Sequence, residues 1–366
     1  KKNLLENSQG KKIIFFTFRT LHFVDWFAPI HLAILKDFPE KYEIFYIDFS
    51  TTLHRIGRGF GYISFKKQLE ERFTQLEISH LCHFSHEELS DFPSFPKPSI
   101  LITCESITQE SFSVKERIYL PHYILPKSNE TELPSNIKFN HVFLPSIPPY
   151  TYRLLNNNLK SKTKFHYVGY PKLCTQSAHK NSFSDPNLPV ILYAPSLDLK
   201  IIFDALDKGI LEIFKEMKFC NIIIKLHPSL ASRRHYITTF LSKKLELEEH
   251  ILIDDLSGIQ SLAMESKILI ADFGSMGGEY RLRFGKRVLF LETPKEYEGG
   301  ADLIFRDDFA DAICNVKDLR DTISTLLKKG NLSNSELEIM RQKVLSFTGE
   351  SDKKAARSID EICSKI

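Results

Sequence analysis

Residues 268–281, Ile-Leu-Ile-Ala-Asp-Phe-Gly-Ser-Met-Gly-Gly-Glu-Tyr-Arg, decide the fold of this 366-residue chain. The first four residues form an uninterrupted apolar run, which is typical of a strand buried on both faces of a parallel sheet. Small residues at 274–278 then predict a tight turn, and helical spacing begins at Gly278. A buried strand that leads through such a turn into a helix is the repeating unit of a parallel α/β sheet.

Apolar runs of the same kind recur along the chain and alternate with segments of helical spacing, among them 201–217. The runs lie at 13–18, 42–47, 99–103, 117–120, 141–144 and 165–168, and again at 190–194, 221–226, 251–253, 267–271 and 287–291. This alternation predicts an α/β fold of two Rossmann-like domains that face each other across a cleft. Ligands of such sheets bind at the carboxyl ends of the strands.

A polar, proline-containing segment separates the two series of runs and predicts the domain boundaries. Residues 174–189 have the composition of a linker. We therefore expect an N-terminal domain over 1–173 and a C-terminal domain over 190–345. The last residues, 346–366, are expected to form a helix that packs back on the N-terminal domain.

Composition excludes several classes of protein. Lysine plus arginine exceeds aspartate plus glutamate by only 49 − 46 = 3, which is too mild a charge to indicate nucleic-acid binding. Six cysteines occur without any C-x-x-C pair, and no acidic cluster follows a strand at metal-ligand spacing. The sequence therefore predicts no metal site. It also contains no apolar stretch of 18 residues or more, so no membrane-spanning helix is expected.

The turn at 274–279 is the strongest candidate for a binding site. A helix N-terminus presents free N–H groups and the positive end of the helix dipole, which suit a phosphate. Glycine lets the backbone approach the anion, Ser275 adds a hydroxyl donor, and Glu279 would hold two ribose hydroxyls. The alternative is that the glycines serve only the geometry of the turn. The candidate residues are Gly274, Ser275, Met276, Gly277, Gly278 and Glu279.

Two further strand ends in the second half carry polar residues. Lys225 and His227 lie at the end of the run at 221–226, where the histidine would donate to a pyrophosphate or act as a proton donor. Pro195 and Ser196 follow the run at 190–194 and would contact a base or phosphate. The alternative for His227 is a loop histidine whose nitrogens bond to the backbone.

In the first half, His122 follows a short apolar run and is a candidate general base. His22 and Asp25 follow the first run, where an acceptor would lie. Aromatic residues at 18, 23, 26 and 27 flank the same strand end. Whether this aromatic group packs inward or faces a membrane is open at this point.

Several short motifs together resemble the CDP-glycerol glycerophosphotransferase family of teichoic-acid and capsule polymerases. The motifs are Leu192-Tyr-Ala-Pro195, Lys225-Leu-His-Pro228, Ile270-Ala-Asp-Phe-Gly-Ser275 and Gly285-Lys-Arg-Val-Leu-Phe290, supported upstream by Phe143-Leu-Pro-Ser146 and Val168-Gly-Tyr-Pro-Lys172. The resemblance covers roughly residues 95 to 300. It implies the two-domain glycosyltransferase-B (GT-B) fold, with an N-terminal acceptor domain and a C-terminal nucleotide-donor domain.

The resemblance also implies an activity and roles for individual residues. The family moves a polyol phosphate from a CDP-alcohol to an acceptor hydroxyl and releases CMP. His122 and Lys127 match its base histidine and the lysine that follows, although Tyr123 replaces a glycine there. His227 matches the histidine that binds the pyrophosphate. No cofactor is implied beyond the CDP-alcohol donor, and the acceptor would be a membrane- or glycan-linked hydroxyl.

The implied location is the cytoplasm, with peripheral contact to the inner face of the cytoplasmic membrane. Two alternatives use the same fold: a glycosyltransferase that takes a nucleotide sugar, and an enzyme like the UDP-sugar 2-epimerases. The second follows from Gly277-Gly278-Glu279, which resembles the phosphate and ribose site of those epimerases. A third alternative is an inactive module that binds a nucleotide.

Overall fold

The computed structural model describes residues 11–18, 23–49, 69–79, 82–85, 88, 100–104, 114–121, 124, 139–147, 162–174, 183–227, 230, 235–254, 259–272, 274–294 and 306–366. These residues form two compact units. The first contains the described residues up to 174 together with 341–366, and the second contains those from 183 to 340. The C-terminal segment therefore belongs to the first unit. Within the predicted linker, residues 175–182 lie outside the described part of the chain.

The first unit is built on a seven-stranded parallel sheet. Its strands are β1 (Lys12–Phe18), β2 (Tyr42–Asp48), β3 (His83–Ser85), β4 (Ile100–Thr103), β5 (Glu116–Tyr119), β6 (His141–Leu144) and β7 (Lys164–Tyr167). The strand order is β3-β2-β1-β4-β5-β6-β7. The central strands β1 and β4 are buried almost throughout, which explains their unbroken apolar sequences.

The second unit repeats the design with a six-stranded parallel sheet. Its strands are β8 (Val190–Tyr193), β9 (Asn221–Ile224), β10 (Ile251–Ile253), β11 (Ile268–Ala271), β12 (Arg287–Leu291) and β13 (Ala312–Cys314). The strand order is β10-β9-β8-β11-β12-β13. Both sheets therefore reverse their direction of winding beside their first strand, as doubly wound sheets do. The predicted α/β class with two parallel sheets is confirmed.

The α-helices lie between and after these strands. They are α1 (Val24–Asp37), α2 (Leu199–Asp207), α3 (Ile210–Glu216), α4 (His235–Leu245), α5 (Ile259–Glu265), α6 (Met276–Phe284), α7 (Leu319–Leu327), α8 (Asn334–Val344) and α9 (Ser351–Cys363). Of the helices that the structure describes, none has the length and apolar character needed to cross a bilayer.

The structure differs from the predicted elements in one helix and three additional elements. The helix expected over 201–217 is two helices, because Gly209 adopts a left-handed conformation at φ 83° between α2 and α3. A side chain with a Cβ rarely takes that conformation, so the helix ends there although the apolar spacing continues. Strands β3 and β13 and helix α7 were not predicted from the sequence.

Residues 344–351 join the C-terminal segment to the first sheet. The backbone N–H of Ile147 donates to Val344 O at 2.9 Å, and the N–H of Gly169 donates to Ser346 Oγ at 2.9 Å. Gly169 itself has φ 76°, and a Cβ there would collide with the backbone of Phe347 and with Ser351. The segment is thus held by backbone and serine side-chain contacts at the carboxyl ends of β6 and β7.

Helix α6 approaches the second sheet closely because Gly277 has no side chain. A Cβ at that position would collide with the ring of Phe290, which is buried on β12. A buried ring that is fixed by its neighbours yields only by displacing other atoms of the core.

We predict that Gly277→Ala lowers the free energy of unfolding by about 1–3 kcal/mol through overpacking. The measurement is denaturant unfolding of the purified chain. Gly330→Ala is the control, since a Cβ there meets nothing within 4 Å. Equal stability of the two variants would contradict the close packing of α6 on β12.

His31 on α1 is a buried histidine held neutral by its surroundings. Its side chain is only 3% exposed, its Nδ1 lies 3.1 Å from the Tyr46 hydroxyl, and its ring stacks on that of Tyr46. Burial lowers the pKa of His31 to about 4. The unfolded chain binds a proton at this residue below a pKa of about 6.5, whereas the folded chain does not.

We therefore predict that stability contributed by neutral His31 is complete above about pH 6.5 and is lost as the pH falls toward 4. The measurement is the unfolding free energy as a function of pH. His31→Gln removes the titrating group and keeps a polar neighbour for Tyr46, so its pH profile should be shallower. A profile as steep as that of the wild type would refute the assignment.

Candidate functional site

The carboxyl edge of the second sheet collects the polar residues that follow its central strands. Strands β9, β8 and β11 are neighbours in that order, and all are parallel. Lys225 follows β9, Ser196 follows β8 within three residues, and Asp272 follows β11 directly. Parallel strands end at one edge of a sheet, so these residues lie together at the point where the winding reverses.

Asp272 joins two of these strand ends. Both of its carboxylate oxygens accept the backbone N–H of Ser196, at 3.1 and 2.9 Å. The carboxylate is only 1% exposed, and its charge contributes to the raised pKa of Tyr193 on β8, where burial is the larger cause. The sequence analysis did not single out Asp272. A carboxylate placed directly after a fully apolar strand was the signal for it.

Helix α6 begins at this edge, and the residue at its N-cap is Ser275. Ser275 stands at the N-cap in a helical conformation and makes no side-chain bond to the helix backbone. Its hydroxyl instead donates to Glu279 Oε1 at 3.1 Å. The Ser275 side chain therefore does not compete with an anion for the N–H groups of the first turn.

Glu279 is 3% exposed, and one of its oxygens is bound to the Ser275 hydroxyl. It lies within the first turn of α6, where a carboxylate is favoured by the helix dipole. The role predicted for Glu279, holding two ribose hydroxyls, remains a prediction.

The three glycines of the turn occur for different structural reasons. Gly274 adopts φ 94°, and a Cβ there would meet nothing within 4 Å. Gly277 lies against Phe290, and a Cβ on Gly278 would come within 3.3 Å of Phe309. Packing therefore accounts for Gly277 and Gly278, whereas Gly274 combines a left-handed backbone with open space beside it.

Lys225 and His227 extend the edge on the β9 side. Lys225 is buried, and its Nζ lies 3.9 Å from Asp254 Oδ1, at the end of β10. His227 is half-buried, and its carbonyl accepts the N–H of Leu230 at 2.8 Å. Pro195, also predicted at this edge, is buried next to Ser196. The structure thus brings together the predicted residues from all three strand ends.

In the first unit, the structure describes only some of the residues that the sequence predicted as site residues. His22, His122 and Lys127 lie outside the described residues. Asp25 is buried and paired with Arg72, whose Nη2 lies 2.6 Å from Asp25 Oδ1, so this carboxylate is engaged inside the unit. The aromatic group at 18, 23, 26 and 27 is buried, so it packs inward. Among the described residues, no group of three or more His, Cys, Asp or Glu side chains is placed to hold a metal ion.

Solved structures with the same fold include UDP-GlcNAc 2-epimerases and a glycosyltransferase. The UDP-GlcNAc 2-epimerase from Methanocaldococcus jannaschii, in complex with UDP-GlcNAc and UDP, matches with a TM-score of 0.58 and 15% identity over 96% of this chain and 99% of that one. The UDP-GlcNAc 2-epimerase from Neisseria meningitidis, bound to UDP-GlcNAc, gives 0.58 and 14% over 97% and 100%. The glycosyltransferase SnogD from Streptomyces nogalater gives 0.53 and 11% over 96% and 100%.

No protein-family model matches the chain, and no curated protein sequence matches it. The structural likeness shows the fold: two parallel-sheet α/β domains of the GT-B type, as predicted.

The predicted membership of the CDP-glycerol glycerophosphotransferase family is wrong. The matching structures are UDP-GlcNAc 2-epimerases and glycosyltransferases, and nothing in them points to CDP-alcohol transfer. The CDP-alcohol phosphotransferase activity and the release of CMP are therefore withdrawn. The physical reason is that the described residues of these motifs, such as Lys225 and His227, lie just after the ends of strands. Such residues are expected in any protein with this fold, so they do not identify the nucleotide donor.

We predict that Asp272→Ala speeds amide hydrogen exchange at Ser196, because that N–H loses its acceptor, a loss of about 1–3 kcal/mol for a buried donor. Asp272→Asn keeps one acceptor oxygen, so its exchange rate at Ser196 should lie between those of the wild type and Asp272→Ala. Asp207→Ala, an exposed carboxylate at the end of α2, is the control. Unchanged protection at Ser196 in Asp272→Ala would contradict the bond.

Proposed function

We propose that the chain is an enzyme that acts on a nucleotide sugar and binds the diphosphate at the carboxyl edge of its second sheet. The observation that carries the proposal is the start of α6, where the Ser275 side chain makes no capping bond to the helix backbone and contacts Glu279 instead. The fold shared with proteins solved with UDP and UDP-GlcNAc supports a uridine nucleotide as the first candidate.

The charges at this edge support a diphosphate. Lys225 lies beside the end of β8 through the hydrogen bond from its N–H to Tyr193 O, at 2.9 Å. Together with the helix N-terminus it would stabilise the negative charge on the diphosphate, and His227 would donate from the end of the same strand. Asp272 is engaged by the Ser196 N–H, which reduces its repulsion of an anion.

Epimerisation at carbon 2 of a UDP-linked sugar is the reaction that we put first, because UDP-GlcNAc 2-epimerases match over nearly the full length of both chains. Sugar transfer is the second candidate, since a glycosyltransferase shares the fold over 96% of this chain. In sugar transfer an acceptor oxygen attacks the anomeric carbon, and the nucleoside diphosphate leaves with the electron pair of the broken bond.

The test has two steps. Calorimetric titration with UDP, CDP, CMP and GDP should show the tightest binding for UDP. Ser275→Ala should weaken that binding about 10- to 100-fold, as expected for a lost hydrogen bond to a charged group. Ser324→Ala, on the exposed face of α7, is the matched control.

The second step follows UDP-GlcNAc by NMR for the epimer and for released UDP. A new epimer supports epimerisation, and UDP release that depends on an added acceptor supports transfer. Tight nucleotide binding without turnover would refute the proposed enzymatic activity and favour a module that only binds a nucleotide. Failure of every nucleotide to bind would overturn the site itself.

A further inference from the structure

The loop between β8 and α2 is held in place by hydrogen bonds within the second unit. The N–H of Ser196 donates to both carboxylate oxygens of Asp272, and Ser196 Oγ accepts the N–H of Asp198 at 3.4 Å. Asp198 Oδ1 in turn accepts the N–H of Lys200 at 2.8 Å. Pro195 is buried beside them. These bonds fix the backbone on both sides of Leu197.

Leu197, in the middle of the same loop, is left exposed to solvent. It is 49% exposed, although both of its neighbours take part in the hydrogen bonds described above. The loop follows β8, so it lies at the carboxyl edge of the sheet, between the ends of β9 and β11. Ligand sites combine apolar side chains with a few polar groups, and Leu197 is an apolar side chain at the ligand edge.

The capping of α2 argues against a phosphate at this loop. Asp198 is the N-cap of α2, and its carboxylate accepts an N–H of the first turn. A phosphate at that helix end would be repelled by the charge of Asp198. Helix α6 differs, because the Ser275 side chain makes no such bond to its own helix. The diphosphate therefore fits the start of α6, and the loop after β8 is left for another part of the nucleotide.

A nucleotide sugar carries two kinds of group beside its diphosphate, namely sugar rings and a base. The hydroxyl groups of a sugar need polar partners when they are buried, whereas the face of a base packs against apolar or aromatic side chains. The loop offers Leu197, while the side chains of Ser196 and Asp198 already accept hydrogen bonds from the backbone. Its chemistry therefore suits the base.

Given the nucleotide function proposed above, on which this inference rests, we propose that the pyrimidine ring of the nucleotide packs against Leu197. Asp272 is the positioning residue that holds the loop through the N–H of Ser196. The end of β8 is then a site for the base, which decides between the base and the phosphate that the sequence left open for Pro195 and Ser196. Packing of the ring would remove the exposed part of Leu197 from water.

The test is calorimetric titration of the full chain with UDP. Leu197→Ala should weaken UDP binding about 5-fold, as expected for losing the apolar contact of roughly half a leucine side chain. Leu197→Met keeps an apolar side chain of similar volume and should bind nearly as the wild type does. Leu247→Ala is the matched control, because Leu247 is 87% exposed and precedes β10, at the amino edge of the same sheet.

NMR of the leucine methyl groups in the UDP complex identifies what Leu197 contacts. The signals that disappear in Leu197→Ala assign its methyl groups, which should show nuclear Overhauser contacts to the ring protons of uracil. Unchanged UDP binding in Leu197→Ala, an equal loss in Leu247→Ala, or contacts to sugar protons alone would overturn the inference and leave the nucleotide site standing. Failure of the wild type to bind UDP would instead overturn the proposed uridine nucleotide, and the inference with it.

Discussion

The parallel pairing of β8 with β11 is the contact on which the arrangement of the second unit depends. It sets Ile268 opposite Ile191 and Ile270 opposite Tyr193, although nearly 80 residues of chain lie between the partners. The ladder continues past the strands, since Ala194 N donates to Ile270 O at 2.9 Å. The carboxyl ends of β8 and β11, which are distant in sequence, therefore lie side by side at the edge of the sheet. Asp272 can reach the Ser196 N–H only because of that registration.

The sequence was sufficient to predict the parallel sheets because their central strands are buried on both faces. Such strands must be apolar at every position, and this leaves a run that needs no further context. The strands β3 and β13 have three residues each, His-Phe-Ser and Ala-Ile-Cys, and unlike the equally short β10, Ile-Leu-Ile, they do not form a run of large aliphatic residues. The break at Gly209 was hidden for a different reason: the apolar spacing runs on through it, and only the backbone conformation records the end of α2.

The same distinction separates what could be predicted of the candidate site from what could not. Ser275 and Lys225 were recognisable because polar residues directly after an apolar run lie at the ligand edge of any parallel sheet. The nucleotide donor could not be predicted in this way, since the motif residues that suggested a CDP-alcohol belong to the strand ends of the fold. Gly277 illustrates this, because its missing side chain is required by the ring of Phe290 whatever ligand binds nearby. Only side-chain partners distant in sequence, such as Arg72 for Asp25, could separate structural from functional charges.

The return of residues 341–366 to the first unit has a consequence for biosynthesis. A ribosome delivers β1 to β7 early, but the hydrogen-bond acceptors of the Ile147 and Gly169 N–H groups, Val344 O and Ser346 Oγ, emerge only after the described second unit has been made. The second unit, in its described part, is continuous in sequence and can close as soon as it leaves the exit tunnel. The first unit is therefore the first to be synthesised and the last to be completed. Until residues 344–351 have been made, the carboxyl ends of β6 and β7 lack these contacts and are exposed to chaperones in the nascent chain.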